Sequence, residues 1–212
     1  MAGDNLEIMT STPKTPKLFK HVYTHGMCFP FITDSPTEAL SWFGRGFHDS
    51  AQRETKELAS RNFADYEALP AVFLFRHAAE LYLKAIVWNG DELLSFLTKP
   101  VSGASGPEKA NHALVFWLPY MKHITTQFGL TWNEEKFGPF SNLDSLLGEL
   151  EKEDPGSFSF RYPMKKDGDA SHDPKFGFNV VAFAREIDPV LEGLWDLCGD
   201  LEDLREHHMM AD

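Results

Sequence analysis

The chain is poor in cysteine, in long apolar runs and in positive charge, and each shortage removes a class of protein. Among 212 residues only Cys28 and Cys198 carry thiols, far apart and in no metal-ligand spacing. Two distant thiols make no disulfide scaffold and suit a reducing compartment. No apolar run approaches the roughly 18 residues a membrane span needs. The N-terminus, M-A-G-D-N-L-E-I-M-T, is polar and lacks the apolar core of a secretory signal. The expectation is a cytoplasmic protein with no membrane partner. Acidic residues outnumber lysine and arginine by 32 to 20, for a formal net charge of −12. Such a chain repels phosphate backbones at long range, so binding to duplex DNA is not expected. A Walker loop, G-x-G-x-x-G, G-x-S-x-G and H-E-x-x-H are all missing, which leaves the common nucleotide and hydrolase folds without support. No cofactor is expected.

The chain does have aromatic residues, including 18 phenylalanines, and enough length to bury a core in one domain. Residues 1–34 read as an arm followed by an irregular segment, and residues 35–206 as a single helical domain. Ser35-Pro36-Thr37-Glu38 is a helix start with a capping box, followed by apolar residues at Leu40, Phe43, Phe47, Ala51 and Leu58. A second helix opens at Pro70 and should stop near Asn89-Gly90. After a Gly/Ser/Pro loop over 98–110, Asn111 should cap a third helix bearing Leu114, Trp117, Leu118, Met121 and Ile124, kinked or broken at Pro119. Ser141 should cap a fourth, ended by Asp154-Pro155-Gly156. The strict alternation of S-F-S-F-R-Y-P, 157–163, predicts extended chain with one buried face. Asn179 should cap a last helix, kinked at Pro189. With no set of strands, the fold class is all-α, a bundle of four to five helices with an irregular N-terminal segment.

The stretch from Pro70 to Trp88 is apolar nearly all round, as suits the centre of a bundle. Its polar exceptions share one stripe: Arg76, Glu80, Lys84 and His77 fall at roughly 0°, 40°, 80° and 100° around the helix. Charges on such a helix must be paired, solvated in a cleft, or functional. Paired, they form a structural pin to another helix. In a cleft, Arg76 and Lys84 would hold an anion and His77 would serve as acid or base near neutral pH. His112 opens the third helix, where it is either a packing histidine or a second proton carrier. Arg161, next to Tyr162 in the alternating segment, is either solvated or placed to meet Glu80 or a phosphate.

Metal binding has little support. His21 and His25 are four apart but lack acidic or thiol partners, and Glu206-His207-His208 reads as a fraying tail. His77-Ala-Ala-Glu80 reverses the Glu-x-x-His pair of di-iron bundles, and no second pair accompanies it.

Three blocks in order carry a resemblance: F-L-F-R-H-A-A-E-L-Y-L-K-A-I, then N-H-A-L-V-F-W-L, then F-R-Y-P with a following K-D-G. Over about Pro70 to Leu204 the chain resembles bacterial proteins of the HEPN superfamily. The resemblance implies an antiparallel helical bundle, usually a homodimer with functional residues in the dimer groove. Several branches are metal-independent ribonucleases of toxin–antitoxin or phage-defence systems, some with an antitoxin-like protein partner; others bind nucleotides or only partner proteins. The ribonuclease branches carry Arg, then four to six residues, then His, on a late helix. This chain has no such spacing after Arg185 or Arg205, and Asn111 stands where the family usually has Gly. Two readings follow. In one, a cleft binds RNA or a nucleotide and cleaves RNA without metal: Arg76, Lys84, Arg161 and Tyr162 contact the ligand, Glu80 orients them, and His77 or His112 transfers the proton. In the other, a non-catalytic interaction module uses Arg76, Glu80 and Arg161 as a buried network.

Overall fold

In the computed structural model, residues 37, 39–61, 66–99, 101, 111–173 and 175–209 are described, and most of them lie in six helices. These are α1 (Ala39–Ala59), α2 (Ala68–Phe96), α3 (Leu114–Phe128), α4 (Glu134–Phe137), α5 (Phe140–Glu153) and α6 (Val180–Met209). Among the described residues there is no β-strand, only an isolated bridge between Met164 and Ala170. The fold is an all-α bundle. No described helix is long and apolar enough to cross a membrane. The arm over 1–34, the Ser35 cap and the pair His21 and His25 lie outside the described residues.

Helix α2 is the hub, because its apolar surface runs almost right round. Phe75, Ala79, Leu83, Ile86 and Leu94 are fully buried, and α2 packs on α1, α3 and α6. Contacts of Phe47 with His77, and of Thr37 with Glu92, run α1 antiparallel to α2. Contacts of Phe75 with Phe183, and of Tyr82 with Trp195, place α6 alongside α2 in its own direction. Helix α3 runs the same way, with Trp117 against Trp88 and Ile124 against Gly90. The antiparallel pairs are thus α1–α2, α1–α6 and, through Lys122–Asp144 and the Leu114–Glu151 contact, α3–α5.

Several local expectations are corrected. Helix α2 continues through Asn89-Gly90 and ends at Phe96, with Leu97 as its C-cap. The glycine is there for close approach: a Cβ at Gly90 would sit 2.4 Å from Cγ2 of the fully buried Ile124. Helix α3 is not broken at Pro119, one of the two outcomes expected there, and α6 is continuous through Pro189. Val115 and Arg185, whose carbonyls lose their donors, are exposed, so water can supply the missing bond. Asn111 does not cap α3; its Oδ1 accepts from Ala113 N, while Glu151 Oε2 accepts from Leu114 N at 2.7 Å. Ser141 lies inside α5, whose cap position is Pro139. The single turn α4, capped by Asn133, was not expected. Asn179 does cap α6, accepting from Val181 N and Ala182 N at 3.0 Å.

Two larger corrections concern burial. Residues 157–163 are not extended but turned: Arg161 N and Tyr162 N both donate to Phe158 O, and Ser157 has φ +62°. Ser157 and Ser159 are buried in place of an alternating aromatic face, because the Asp154 carboxylate accepts from Ser159 N. On α1 the buried face is Ser41, Gly44, His48, Ala51, Thr55 and Leu58, whereas Phe43 is 50% exposed. Small and polar residues turn inward there because Tyr82 comes close; a Cβ at Gly44 would lie 2.8 Å from its ring.

The contrast between two helical glycines is testable. Gly90→Val should cost about 1–3 kcal/mol by overpacking Ile124. Gly148→Ala, where an added methyl meets nothing within 4 Å, should stabilise by about 0.5–1 kcal/mol. Urea unfolding of the two variants reads both, and a neutral Gly90→Val would refute the close-approach argument.

Candidate functional site

The polar stripe of α2 divides into an inner and an outer set. Arg76 is 0% exposed, Glu80 1% and Lys84 6%. Burying these charges requires partners, and the fold supplies them. Glu80 Oε1 accepts from Lys84 Nζ at 2.6 Å and faces His112 Nδ1 at 2.8 Å. Arg76 Nη1 lies 3.5 Å from Glu80 Oε2. Arg76 Nη2 donates to His112 O at 3.0 Å and to Glu151 Oε2 at 3.1 Å, and Nε lies 3.2 Å from Asp154 Oδ2. Lys84 Nζ also sits 5.5 Å from the centre of the Trp117 ring, whose Nε1 donates to Asn111 O. Two cations from α2 therefore meet three carboxylates from α2 and α5 and its C-terminal cap, within reach of the segment before α3.

Four of the expected site residues form the outer set. The His112 side chain is 59% exposed above Glu80. His77 is half-buried, 4.5 Å from the Phe47 ring centre and stacked on Phe73 at 5.6 Å, with no hydrogen bond among the described residues. Burial lowers its pKa below the ordinary 6.5; Glu80 opposes this, while Lys84, Arg161 and His112 add to it. Arg161 does not reach Glu80. Its guanidinium donates to Ser157 O and lies 5.5 Å over Phe73 and 5.6 Å over Tyr162. Tyr162 is 50% exposed and stacks on Phe158 at 4.7 Å. The site brings Arg76, Glu80, Lys84 and His112 into one hydrogen-bonded network and leaves His77, Arg161 and Tyr162 beside it on aromatic rings.

Glu151 and Asp154 were missed as partners of Arg76, since one reads as helix surface and the other as a helix stop. A second buried cluster was missed too. His48, fully buried on α1, faces Asp188 Oδ1 of α6 at 2.8 Å, and Gln52 Nε2 donates to the same oxygen at 2.6 Å. Tyr82 OH lies 3.5 Å from His48 Nδ1. The His48 hydrogen bond, against the opposing effect of burial and with help from Gln52, holds the Asp188 carboxyl below its ordinary pKa. Burial pushes the Tyr82 hydroxyl well up. The one available signal was position, as His48 shares a helical row with Gly44, Ala51 and Thr55. The cluster pins α1 to α6 and α2. Among the described residues no group of three or more His, Cys, Asp or Glu could hold a metal ion.

Glu80→Ala should destabilise the fold by about 3–5 kcal/mol, because Arg76 and Lys84 lose their shared counter-charge in the interior. His112→Ala, at an exposed partner, should cost less than about 1 kcal/mol. Equal losses in urea unfolding would contradict the division into inner and outer sets. His77 also sets a pH dependence. Its folded pKa lies below 6.5, so as pH falls through 6.5 the unfolded chain takes the proton first and stability declines. From about pH 7 to about pH 5, the range in which an imidazole titrates, His77→Gln should lose less stability than the parent chain. Parallel curves would remove His77 as the cause.

Comparison with protein-family models, with curated proteins and with solved structures finds no match to the chain.

Proposed function

We propose that the chain is a HEPN-like, non-catalytic binding module that acts as a cytoplasmic homodimer in a defence or toxin–antitoxin type system. The observation that carries this reading is the closure of the polar stripe. Metal-free RNA cleavage needs a cation on the phosphate and imidazoles placed to move protons. Arg76, the natural phosphate ligand, is 0% exposed and already faces three carboxylates. Among the described residues His77 makes ring contacts, with Phe47 and Phe73, and no hydrogen bond. The groups left for a ligand are the His112 ring, the Arg161 guanidinium and the Tyr162 ring, with Phe73 beneath Arg161. Aromatic faces with one guanidinium favour an unpaired base of RNA or a nucleotide, which stacks on rings and needs little positive potential.

One observation favours the alternative, a metal-independent ribonuclease. His112 presents Nδ1 to the Glu80 carboxylate at 2.8 Å. A carboxylate on one ring nitrogen fixes the tautomer and leaves the other nitrogen to act on a ligand.

The test uses metal-free full-length chain and a labelled single-stranded RNA. The module reading expects binding without cleavage, and a loss of about tenfold or more in Tyr162→Ala, the scale of one base–aromatic stack. It also expects a light-scattering mass about twice the 24.0 kDa of one chain. Cleavage that His112→Ala abolishes while the fold is retained would establish the ribonuclease instead. A monomer that binds no RNA would overturn both.

A further inference from the structure

Away from the polar stripe, the turn after α5, the run before α6 and α6 itself bring four phenyl rings to one cavity. Phe160, Phe176, Phe178 and Phe183 line a space of about 270 Å³ together with Glu149 and Glu153. Its inner wall includes the buried Val72 and Leu150. Phe176 is 5.6 Å from Phe178 and 6.5 Å from Phe160, centre to centre, and Phe178 keeps 38% of its surface in solvent. Glu149 and Glu153 lie one turn apart on α5, both exposed, and neither has a hydrogen bond or ion pair among the described residues. Like charges at this spacing repel and weaken a helix slightly.

Rings and carboxylates together select the occupant. An apolar cavity alone would suit any small neutral molecule. Two uncompensated carboxylates at its edge disfavour an anion and reward a cation. A hard metal ion needs six or more oxygen ligands, which phenyl walls do not supply. A primary ammonium is strongly hydrated, and its three N–H donors would hold it at the carboxylates and water of the rim rather than among phenyl walls. A quaternary ammonium has no N–H, carries its charge on an apolar shell, and is drawn to aromatic faces through the ring quadrupole. The volume falls just under the range of roughly 300–1,000 Å³ typical of ligand pockets, which suits a small ion. The net charge of −12 raises the local concentration of any cation. We infer that this cavity is a binding site for a small quaternary ammonium ion. The inference uses none of the residues on which the proposed function rests and stands or falls separately from it.

Isothermal titration of the full chain with choline, and with its uncharged carbon isostere 3,3-dimethylbutan-1-ol, tests the assignment. Choline should bind at least about tenfold more tightly than the isostere, a ratio in the range of a desolvated cation–ring contact. The double variant Glu149→Gln, Glu153→Gln should lose about tenfold for choline and nothing for the isostere. Phe178→Ala should weaken choline binding as well. All three positions are exposed, so the variants should melt as the parent does. Equal binding of choline and isostere would reduce the cavity to a plain apolar pocket. No heat of binding at about 10 mM choline, or a double variant that binds as well as the parent, would overturn the site.

Discussion

Arg76 and Glu80 are ions on a helix face that water does not reach. Taking such groups out of water costs several kcal/mol each, and the cost is offset only where geometry and hydrogen bonds are good. An apolar residue at either position would accept any greasy neighbour. A guanidinium and a carboxylate accept only carboxylates, carbonyls and cations at defined distances. The segment before α3 is held by Arg76 through His112 O, and the end of α5 through Glu151 and Asp154. Glu151 in turn supplies the cap that α3 lacks in its own sequence. The turn at 157–162 follows, since Asp154 also holds Ser159 N. Half of the bundle is thus placed by one charged stripe.

The other half is placed by the α1–α6 seam, which is polar in a different way. His48, Gln52 and Asp188 meet in its interior, while Arg45 reaches Glu192 on a rim that also carries Trp42 and Trp195. Helix α2 contributes Tyr82 and the glycine-fitted approach to α1. The two polar systems therefore lie on different flanks of α2. This leaves little on that helix free for a ligand and directs attention to the groups that flank it: His112, Arg161, Tyr162 and the phenylalanines.

Much of this was legible in the sequence. The apolar circumference of α2 announces its central place, and the apolar residues expected on α3 are those that are buried. The spacing of Arg76, Glu80 and Lys84 announces a shared face, and their environment forces a choice between pairing and function. The sequence cannot supply the choice, because the deciding partners, Glu151 and Asp154, look like ordinary residues at a helix end. Gly90 misleads for a related reason: a glycine that ends a helix and one that admits a neighbouring isoleucine have the same local sequence. The S-F-S-F-R-Y-P segment misleads because alternation describes side-chain polarity, whereas a single carboxylate accepting a backbone N–H was enough to curl the chain.

The Arg76 network also bears on the order of events when the chain folds. Its members come from 76–84, from 112 and from 151–154, so closing it needs contacts between residues far apart in sequence. The loops involved must be closed before any of these contacts can form. Charged groups also keep their water until good partners are in place. The α1–α2 pairing closes loops of similar length, as Phe47–His77 and Thr37–Glu92 show. Its seam, however, has no buried ion pair among the described residues to strip of water, so desolvation of the charges is what sets the ion network last. Interactions made after the barrier slow unfolding without hastening folding. The charged centre of this bundle therefore acts as a latch, and its main effect is on how long the folded chain persists once formed.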